Sequence, residues 1–138
     1  MCQGVNKKIL SLNKNKDGMT EKEIFVEKMR KRTKTFAVDV IHFCESLKPG
    51  KASSVIIYQL VKAATSTGAN YRAACIARSK REFFSKICIV VEEVDESEYW
   101  LEVIKDADLS NDKKELDRLL LESSEIIKIT SKAKNSTY

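Results

Sequence analysis

The sequence predicts an all-α protein that folds as an antiparallel up-down-up-down four-helix bundle. The 138-residue chain is 43% hydrophobic and has only four glycines and one proline, a composition that favours packed helices in one domain. Apolar residues recur at steps of three and four along four segments, as on one face of an amphipathic helix. The connections between these segments are short, so successive helices should be antiparallel neighbours.

The first helix is predicted to begin after Thr20 and to run to about Leu47. Thr20 and Glu23 have the spacing of a capping box, in which each side chain binds the other residue's backbone amide. Pro49 and Gly50 should end the helix, because proline disfavours helix in the preceding residue and glycine suits a turn. The apolar stripe comprises Phe25, Met29, Phe36, Val40, Phe43 and Leu47.

The second helix is predicted over about 52–78, with a run of small residues at 63–69. Small side chains allow two helices to approach closely. Gly68 costs about 1 kcal/mol relative to alanine in a helix interior, so we expect a bend or a tight helix contact there. The inner positions are Ile56, Ile57, Leu60, Val61, Ala64, Tyr71, Ala74 and Cys75.

The third and fourth helices also begin at recognisable caps. Ser79 and Glu82 repeat the capping-box spacing, and the third helix should extend to about Asp106. Asp112 precedes the fourth helix, which should reach about Lys134. Both seams follow a near-heptad spacing, which favours shallow crossing angles. The seam of the third helix is Phe83, Ile87, Val90, Val94, Leu101 and Ile104, interrupted by Ser97. The seam of the fourth helix is Leu116, Leu119, Leu120, Ser123, Ile126, Ile127 and Thr130.

The bundle is predicted to span residues 20–134, between two short end segments. Residues 1–19 are mostly polar and typical of a flexible leader. Because Met19 directly precedes the first helix, residues 1–18 could be a start-site extension. Part of the leader imitates a calcium loop, but the twelfth position, which needs an acidic ligand, is Ile24. Residues 135–138 are expected to fray.

Cysteine and histidine usage predicts neither a metal site nor a cofactor. The four cysteines form no Cys-x-x-Cys pair, and His42 is the only histidine, so the usual zinc-ligand spacing is missing. We expect Cys44, Cys75 and Cys88 to be buried, reduced thiols. Cys2 should lie in a mobile chain end.

The usual groupings of catalytic residues are also missing. His42 and Cys44 stand two residues apart and therefore point to opposite sides of a helix. The sequence has no glycine-rich phosphate loop and no Glu-x-x-His pair for di-metal chemistry. We therefore predict that the protein is not an enzyme. No stretch approaches the roughly 20 apolar residues that span a bilayer, and no signal peptide is visible, so we expect a soluble, cytoplasmic protein that does not bind membranes.

Charge is distributed unevenly along the chain, although the net charge is only +5. Residues 1–34 carry ten basic and four acidic side chains, and residues 62–91 carry six and one. Residues 92–125 carry thirteen acidic and four basic side chains. The last thirteen residues add a charge of +3. The sequence is therefore polarised between basic and acidic segments.

Two groups of basic residues are candidates for binding the phosphates of RNA or DNA, because such clusters release counterions from nucleic acid. The alternatives are that they are solvated helix faces or that they pair with the acidic segment 92–125, within or between subunits. No aromatic residues are interleaved to stack bases. The first group is Lys28, Arg30, Lys31, Arg32 and Lys34, and the second is Arg72, Arg78, Lys80, Arg81 and Lys86.

Two further runs of the chain are distinctive. Residues 65–83 read TSTGANYRAACIARSKREF, and residues 92–101 read EEVDESEYWL. These runs resemble those of the bacterial 23S rRNA-intervening-sequence protein family, and with the helix order the resemblance covers about residues 20–134. It implies a four-helix bundle that is commonly a homopentamer. The family includes accessory proteins of the reverse transcriptase of diversity-generating retroelements. Those accessory proteins are basic, whereas segment 92–125 of this chain is acidic.

The resemblance implies structural roles for eight recurring family positions, none of which is a known catalytic residue. They are Asn70, Arg72, Ser79, Phe83, Glu93, Glu96, Tyr99 and Trp100. We predict that Asn70 donates a hydrogen bond to a carboxylate of the third helix, Glu93 or Glu96, because a buried amide must find partners. Arg72 is expected to join this network.

Two hypotheses for the function follow. The first is a non-catalytic homo-oligomer that binds RNA or DNA through its basic groups as an accessory factor. The second is a protein-interaction scaffold whose opposite charges join subunits or recruit a protein partner. Both predict an oligomer, because Tyr99, Trp100 and Val103 lie off the main seam and would otherwise expose an apolar patch. Alternatively, Trp100 packs against the amino-terminal part of the first helix.

Overall fold

The structure, a computed structural model, describes residues 18–138 and confirms the predicted all-α, four-helix fold. Helix α1 spans Glu21–Phe43, α2 spans Lys51–Cys75, α3 spans Lys80–Asp106 and α4 spans Lys113–Asn135. In this described part, no helix has the length and apolarity that crossing a bilayer requires. Residues 1–17 lie outside the described residues. The prediction for Cys2 and most of the prediction for the leader concern these residues.

Side-chain pairs between helices establish the directions in which the helices run. Along α1 and along α3, later residues contact earlier residues of α4, so α4 is antiparallel to both. The short connections at 44–50 and 76–79 reverse the chain before and after α2. The arrangement is therefore up-down-up-down. The pairs are Arg32 with Glu122 and Asp39 with Arg118 for α1, and Glu98 with Ser123 and Lys105 with Asp117 for α3.

The helix starts follow the predicted caps. Thr20 and Glu23 form a complete capping box, with two backbone-to-side-chain bonds of 3.1 Å. Ser79 accepts a bond of 3.0 Å from the Glu82 amide, but the Glu82 carboxylate binds the amide of the residue before the cap, so the second box is half formed. Gly50 precedes α2 with a φ of 153°, which residues other than glycine rarely adopt.

The ends of the first two helices differ from the prediction. The sequence predicts a first helix to Leu47, but α1 ends at Phe43 and a 3-10 turn, Cys44–Ser46, follows. Leu47 is extended and forms an isolated antiparallel β-bridge with Ser110 of the α3–α4 connection. A helix that continued to Leu47 would use the backbone groups of this segment internally, and the bridge could not form. Helix α2 ends at Cys75, about one turn earlier than predicted.

The end of the chain has a packing partner. The ring of Tyr138 lies edge-on to Phe84, with 5.0 Å between the ring centroids. The Lys80 ammonium lies 4.8 Å from the centre of the Tyr138 ring, a distance at which a cation is attracted to an aromatic face. These two contacts join the end of the chain, where fraying is predicted, to α3.

Buried threonines divide the core into two apolar clusters. The larger cluster includes Phe36, Ala64 and Ile126, and the smaller one includes Met29, Tyr71, Ile87 and Val90, with Ala133 packed against it. Thr33, Thr67 and Thr130, which we call the threonine layer, each lie on their helix between members of the two clusters. They are at most 1% exposed, and each hydroxyl donates to a backbone carbonyl of its own helix. The layer thus buries polar groups without leaving them unsatisfied.

Two residue predictions for the core need correction. Phe25, which the sequence places in the apolar stripe of α1, is 50% exposed because the stripe meets the neighbouring helices only from Met29 onward. Cys44 is buried as predicted, and burial raises the pKa of its thiol to about 11. Cys75 and Cys88 are only half-buried, and none of these three cysteines of the described residues forms a disulfide.

Gly68 makes the predicted tight contact between α1 and α2. A Cβ atom at this position would lie 3.3 Å from the backbone carbonyl oxygen of Thr33. Most Cβ contacts are wider than this, and the obstacle is a backbone atom that cannot rotate away. The small-residue run therefore sets the distance between these helices.

Gly68→Leu is expected to lower the free energy of unfolding by about 2–3 kcal/mol, because the larger side chain forces α1 and α2 apart. Gly68→Ala should change stability little, since the gain in helix propensity of about 1 kcal/mol is offset by the close contact. Thermal denaturation followed by circular dichroism measures both. Ala69→Leu, at the exposed neighbouring position, is the control, and an equal loss there would contradict the explanation.

Candidate nucleic-acid interface

Opposite charges are collected at opposite ends of the bundle. The antiparallel arrangement brings the start of α1, the α2–α3 turn and the end of α4 together. We call this part, residues 21–34, 68–91 and 126–138, the basic end, and it carries fourteen basic and four acidic side chains. The remainder of the bundle, residues 35–67 and 92–125, carries seven basic and fifteen acidic side chains, and we call it the acidic end. Two of these acidic residues, Glu122 and Glu125, lie at its border and contact Arg32 of the basic end.

The packing of the core joins the three segments of the basic end. Met29 of α1, Tyr71 of α2 and Ile87 of α3 belong to the same apolar cluster, and Ala133 of α4 packs against it. All four helices therefore meet at this level. The two predicted groups of basic residues, which are distant in the sequence, lie at the same end of the molecule.

The structure adds three lysines that the residue predictions omit. Lys128, Lys132 and Lys134 lie in the last part of α4, within the basic end. Lys128 and Lys132 are exposed, and Lys134 is half-buried. The sequence signal for them is the positive charge of the last thirteen residues, but only the antiparallel packing of α4 places that charge beside the other groups.

Six of the ten predicted phosphate-binding residues are free of ion pairs. Among residues 18–138, none of the six has a carboxylate oxygen within 4.0 Å. Five of them are exposed and one is half-buried, so their charges face solvent. They are Lys28, Lys31, Lys34, Arg72 and Arg81, with Lys86 as the half-buried member.

Three other candidates have weak partners. Arg30 lies 3.7 Å from Glu27, and Arg78 lies 3.5 Å from Glu82. The side chain of Arg78 is 90% exposed, and exposed pairs of this kind contribute little to stability. Lys80 lies over the aromatic ring described above. These three side chains therefore remain available to a ligand.

Arg32 differs from the other candidates because carboxylates occupy its guanidinium. Its Nε and Nη2 atoms donate to the two oxygens of Glu122 at 2.9 and 2.6 Å, and Nη2 also donates to Glu125. The hydrogen bonds to both carboxylates raise the pKa of Arg32. For Arg32, the structure therefore agrees with the alternative prediction, in which a basic residue pairs with the acidic segment 92–125 of the same chain.

The polar network predicted around Asn70 takes a different form. Asn70 is half-buried, and its Nδ2 atom donates to the carbonyl and hydroxyl oxygens of Ser66 at 2.9 and 3.0 Å. Ser66 therefore satisfies the amide locally, and the predicted bond to Glu93 or Glu96 is wrong. Burial and the charge of Glu96 raise the pKa of Glu93. Arg72 is exposed and, within the described residues, has no bond to this group.

The three predicted oligomer-contact residues differ in exposure. Trp100 and Val103 are half-buried against the larger core cluster, whereas Tyr99 is 54% exposed. The Tyr99 and Trp100 rings meet edge to face at 5.0 Å. The bridge of Leu47 to Ser110 brings the carboxyl ends of α1 and α3 together, so Trp100 lies level with the carboxyl-terminal half of α1. The alternative packing against the amino-terminal part of α1 is therefore wrong.

The acidic end contains a polar cleft of about 250 Å³ between α1 and α4. Arg118 donates to Asp39 at 2.9 Å and to Glu115, and these bonds raise the pKa of its guanidinium. Within residues 18–138, no three His, Cys, Asp or Glu side chains are grouped so that they could hold a metal ion. The cleft is lined by Asp39, His42, Phe43, Ser46, Asp112, Glu115 and Arg118.

Comparisons with known proteins agree with the four-helix fold. The family model described as "23S rRNA-intervening sequence protein" matches residues 27–132. The chain is also similar to a crystal structure from Bacteroides thetaiotaomicron, described as a protein with unknown function from the S23 ribosomal protein family. The two chains are 26% identical with a TM-score of 0.70, over 80% of this chain and 97% of the other. No curated protein matches the chain.

Proposed function

Since this chain belongs to the 23S rRNA-intervening sequence protein family, we propose that it is a non-catalytic accessory protein that binds RNA or DNA through its basic end. The observation that carries this proposal is the gathering of fourteen basic side chains from all four helices and the α2–α3 turn, with only four acidic ones, at the same end. A nucleic acid gains most from such a surface, because each neutralised phosphate releases counterions.

The side chains at the basic end also favour recognition of the nucleic-acid backbone over recognition of bases. Lysines and arginines on rigid helices bind phosphates and position a protein, whereas bases are read by groups that reach the grooves or stack on aromatic rings. Of the aromatic side chains at the basic end, only Phe25 and Tyr138 are mainly exposed, and the exposed lysines and arginines outnumber them. We therefore propose that the binding depends little on sequence.

We further propose that the working form is a cytoplasmic homo-oligomer, in agreement with the pentamer that the family resemblance implies. Three large apolar side chains of α2 and α3 support this proposal, because they remain exposed in the single chain. Val55, Tyr58 and Tyr99 are 60%, 65% and 54% exposed. Val55 and Tyr58 stand three residues apart and therefore share one side of α2, and neighbouring exposed apolar residues commonly mark protein interfaces.

A second candidate function is a protein-interaction scaffold, and the acidic end is the observation that favours it. Fifteen acidic side chains on residues 35–67 and 92–125 would attract a basic partner or the basic end of another subunit. In this function, high salt would weaken the assembly of the protein itself, and nucleic acid would have no effect.

A salt series with labelled nucleic acid distinguishes the two functions. We expect the full chain to bind both an RNA and a DNA duplex of mixed sequence, with an affinity that falls about 10³-fold between roughly 50 and 200 mM salt if six or more phosphates are contacted. Fluorescence anisotropy measures the affinity, and sedimentation at the same salt concentrations measures assembly. Absence of binding at low salt, together with assembly that dissociates as salt rises, would favour the scaffold.

A further inference from the structure

We infer that Glu122 and Glu125 limit the nucleic-acid affinity of the basic end by occupying Arg32 in place of a phosphate group. This inference rests on the proposed function and assigns a regulatory role to two acidic residues of α4. It starts from the position of Arg32. The residue belongs to the first basic group, and Lys28, which is free of ion pairs, precedes it by one turn on the same side of α1.

The bonds of Arg32 have the geometry of phosphate recognition. Two nitrogens of the guanidinium donate to the two oxygens of Glu122, and one of them also donates to Glu125. A phosphate group presents a matching pair of oxygens to the same nitrogens. The two carboxylates and a phosphate therefore compete for the same donors.

The competition takes place at a site that a ligand can reach. The side chains of Arg32, Glu122 and Glu125 are 28%, 22% and 49% exposed. A phosphate that approaches Arg32 must displace at least one carboxylate, and the displaced negative charge then remains beside the nucleic acid. Both effects weaken binding, so removal of the carboxylate charges should strengthen it.

The chain offers a matched control at the acidic end. Arg118 likewise donates from Nε and Nη2 to one carboxylate, Glu115, and from Nη2 to a second, Asp39, although its two nitrogens share one oxygen of Glu115. The double variants Glu122→Gln/Glu125→Gln and Asp39→Asn/Glu115→Gln each remove two negative charges around a single arginine. The two variants thus remove the same charge at opposite ends of the bundle.

We expect Glu122→Gln/Glu125→Gln to bind the RNA duplex about tenfold more tightly at low salt, with a steeper salt dependence by about one phosphate contact. Asp39→Asn/Glu115→Gln should stay within about twofold of the unmodified chain. Adding Arg32→Gln to the first variant should remove the gain. Anisotropy measures the affinities, and circular dichroism establishes that each variant is folded. If the double variant is unfolded, Glu125→Gln alone, which keeps the Glu122 bonds and frees Arg32 Nη2 from its second carboxylate, should still give about a threefold gain, whereas Asp39→Asn alone should give none.

Each outcome separates this inference from the proposed function. Equal gains in both double variants would show that net charge alone sets the affinity and would overturn the inference, as would a gain that survives Arg32→Gln. Unchanged affinity in a folded variant would also overturn it, while binding by the unmodified chain would leave the proposed function standing. Absence of binding by every variant would overturn both.

Discussion

Replacing Phe36 with alanine is expected to lower the free energy of unfolding by about 4 kcal/mol. Phe36 is 1% exposed and lies in the larger core cluster, so the substitution removes apolar contact and leaves a cavity that the surrounding helices can only partly fill. Domains of this size are stable by about 5–15 kcal/mol, and the variant should therefore lose a large share of its stability. Urea denaturation followed by circular dichroism measures the loss.

The same helix provides the control for this substitution. Phe25 is 50% exposed, and Phe25→Ala removes the same atoms from a position that is half in solvent. We expect it to cost less than about 1 kcal/mol, as most surface substitutions do. Comparable losses in the two variants would mean that the core is not centred where the structure places it.

Reversing the charge of three basic-end residues is expected to weaken nucleic-acid binding by about 10²- to 10³-fold at low salt. The variant is Lys31→Glu/Arg72→Glu/Arg81→Glu. These residues lie on or beside three different helices, and all three are exposed and form no ion pair within the described residues. The substitutions therefore remove ligand contacts while breaking no ion pair of the fold. Anisotropy with the same RNA duplex measures the effect.

Three lysines of the acidic end make the matched control. Lys51→Glu/Lys62→Glu/Lys114→Glu changes the net charge by the same amount, again at exposed residues that form no ion pair in the described part of the chain. We expect this variant to bind within about threefold of the unmodified chain. If both triple variants lose binding equally, the total charge governs the interaction and the basic end has no special part in it.

The sequence is sufficient to predict the helices because their determinants are local. The apolar periodicity and the caps at Thr20, Ser79 and Asp112 involve residues within about one turn of each other. Where the predictions fail, the cause is a competing partner. Leu47 leaves the helix because the residues on either side of it, Ser46 and Lys48, form backbone hydrogen bonds with the distant α3–α4 connection. Asn70 makes no bond to the third helix because Ser66, one turn away on its own helix, accepts from its amide.

The candidate site is less predictable, because it depends on the register between distant helices. The sequence identifies Arg32 as a basic residue within a basic group, but its partners lie some 90 positions later in the chain. Only the antiparallel alignment of α1 and α4 makes them neighbours. The same alignment adds Lys128, Lys132 and Lys134 to the basic end. In the sequence, the segments that form this end are far apart.

The separation of charge between the two ends gives the molecule a large electric dipole along its long axis. Two copies can therefore attract each other head to tail even though both carry a net positive charge, and this attraction weakens as ions accumulate around the ends. The protein should consequently be salted in, becoming more soluble as salt is added to very dilute buffer. It should also adsorb to both anion- and cation-exchange resins at neutral pH, presenting a different end to each.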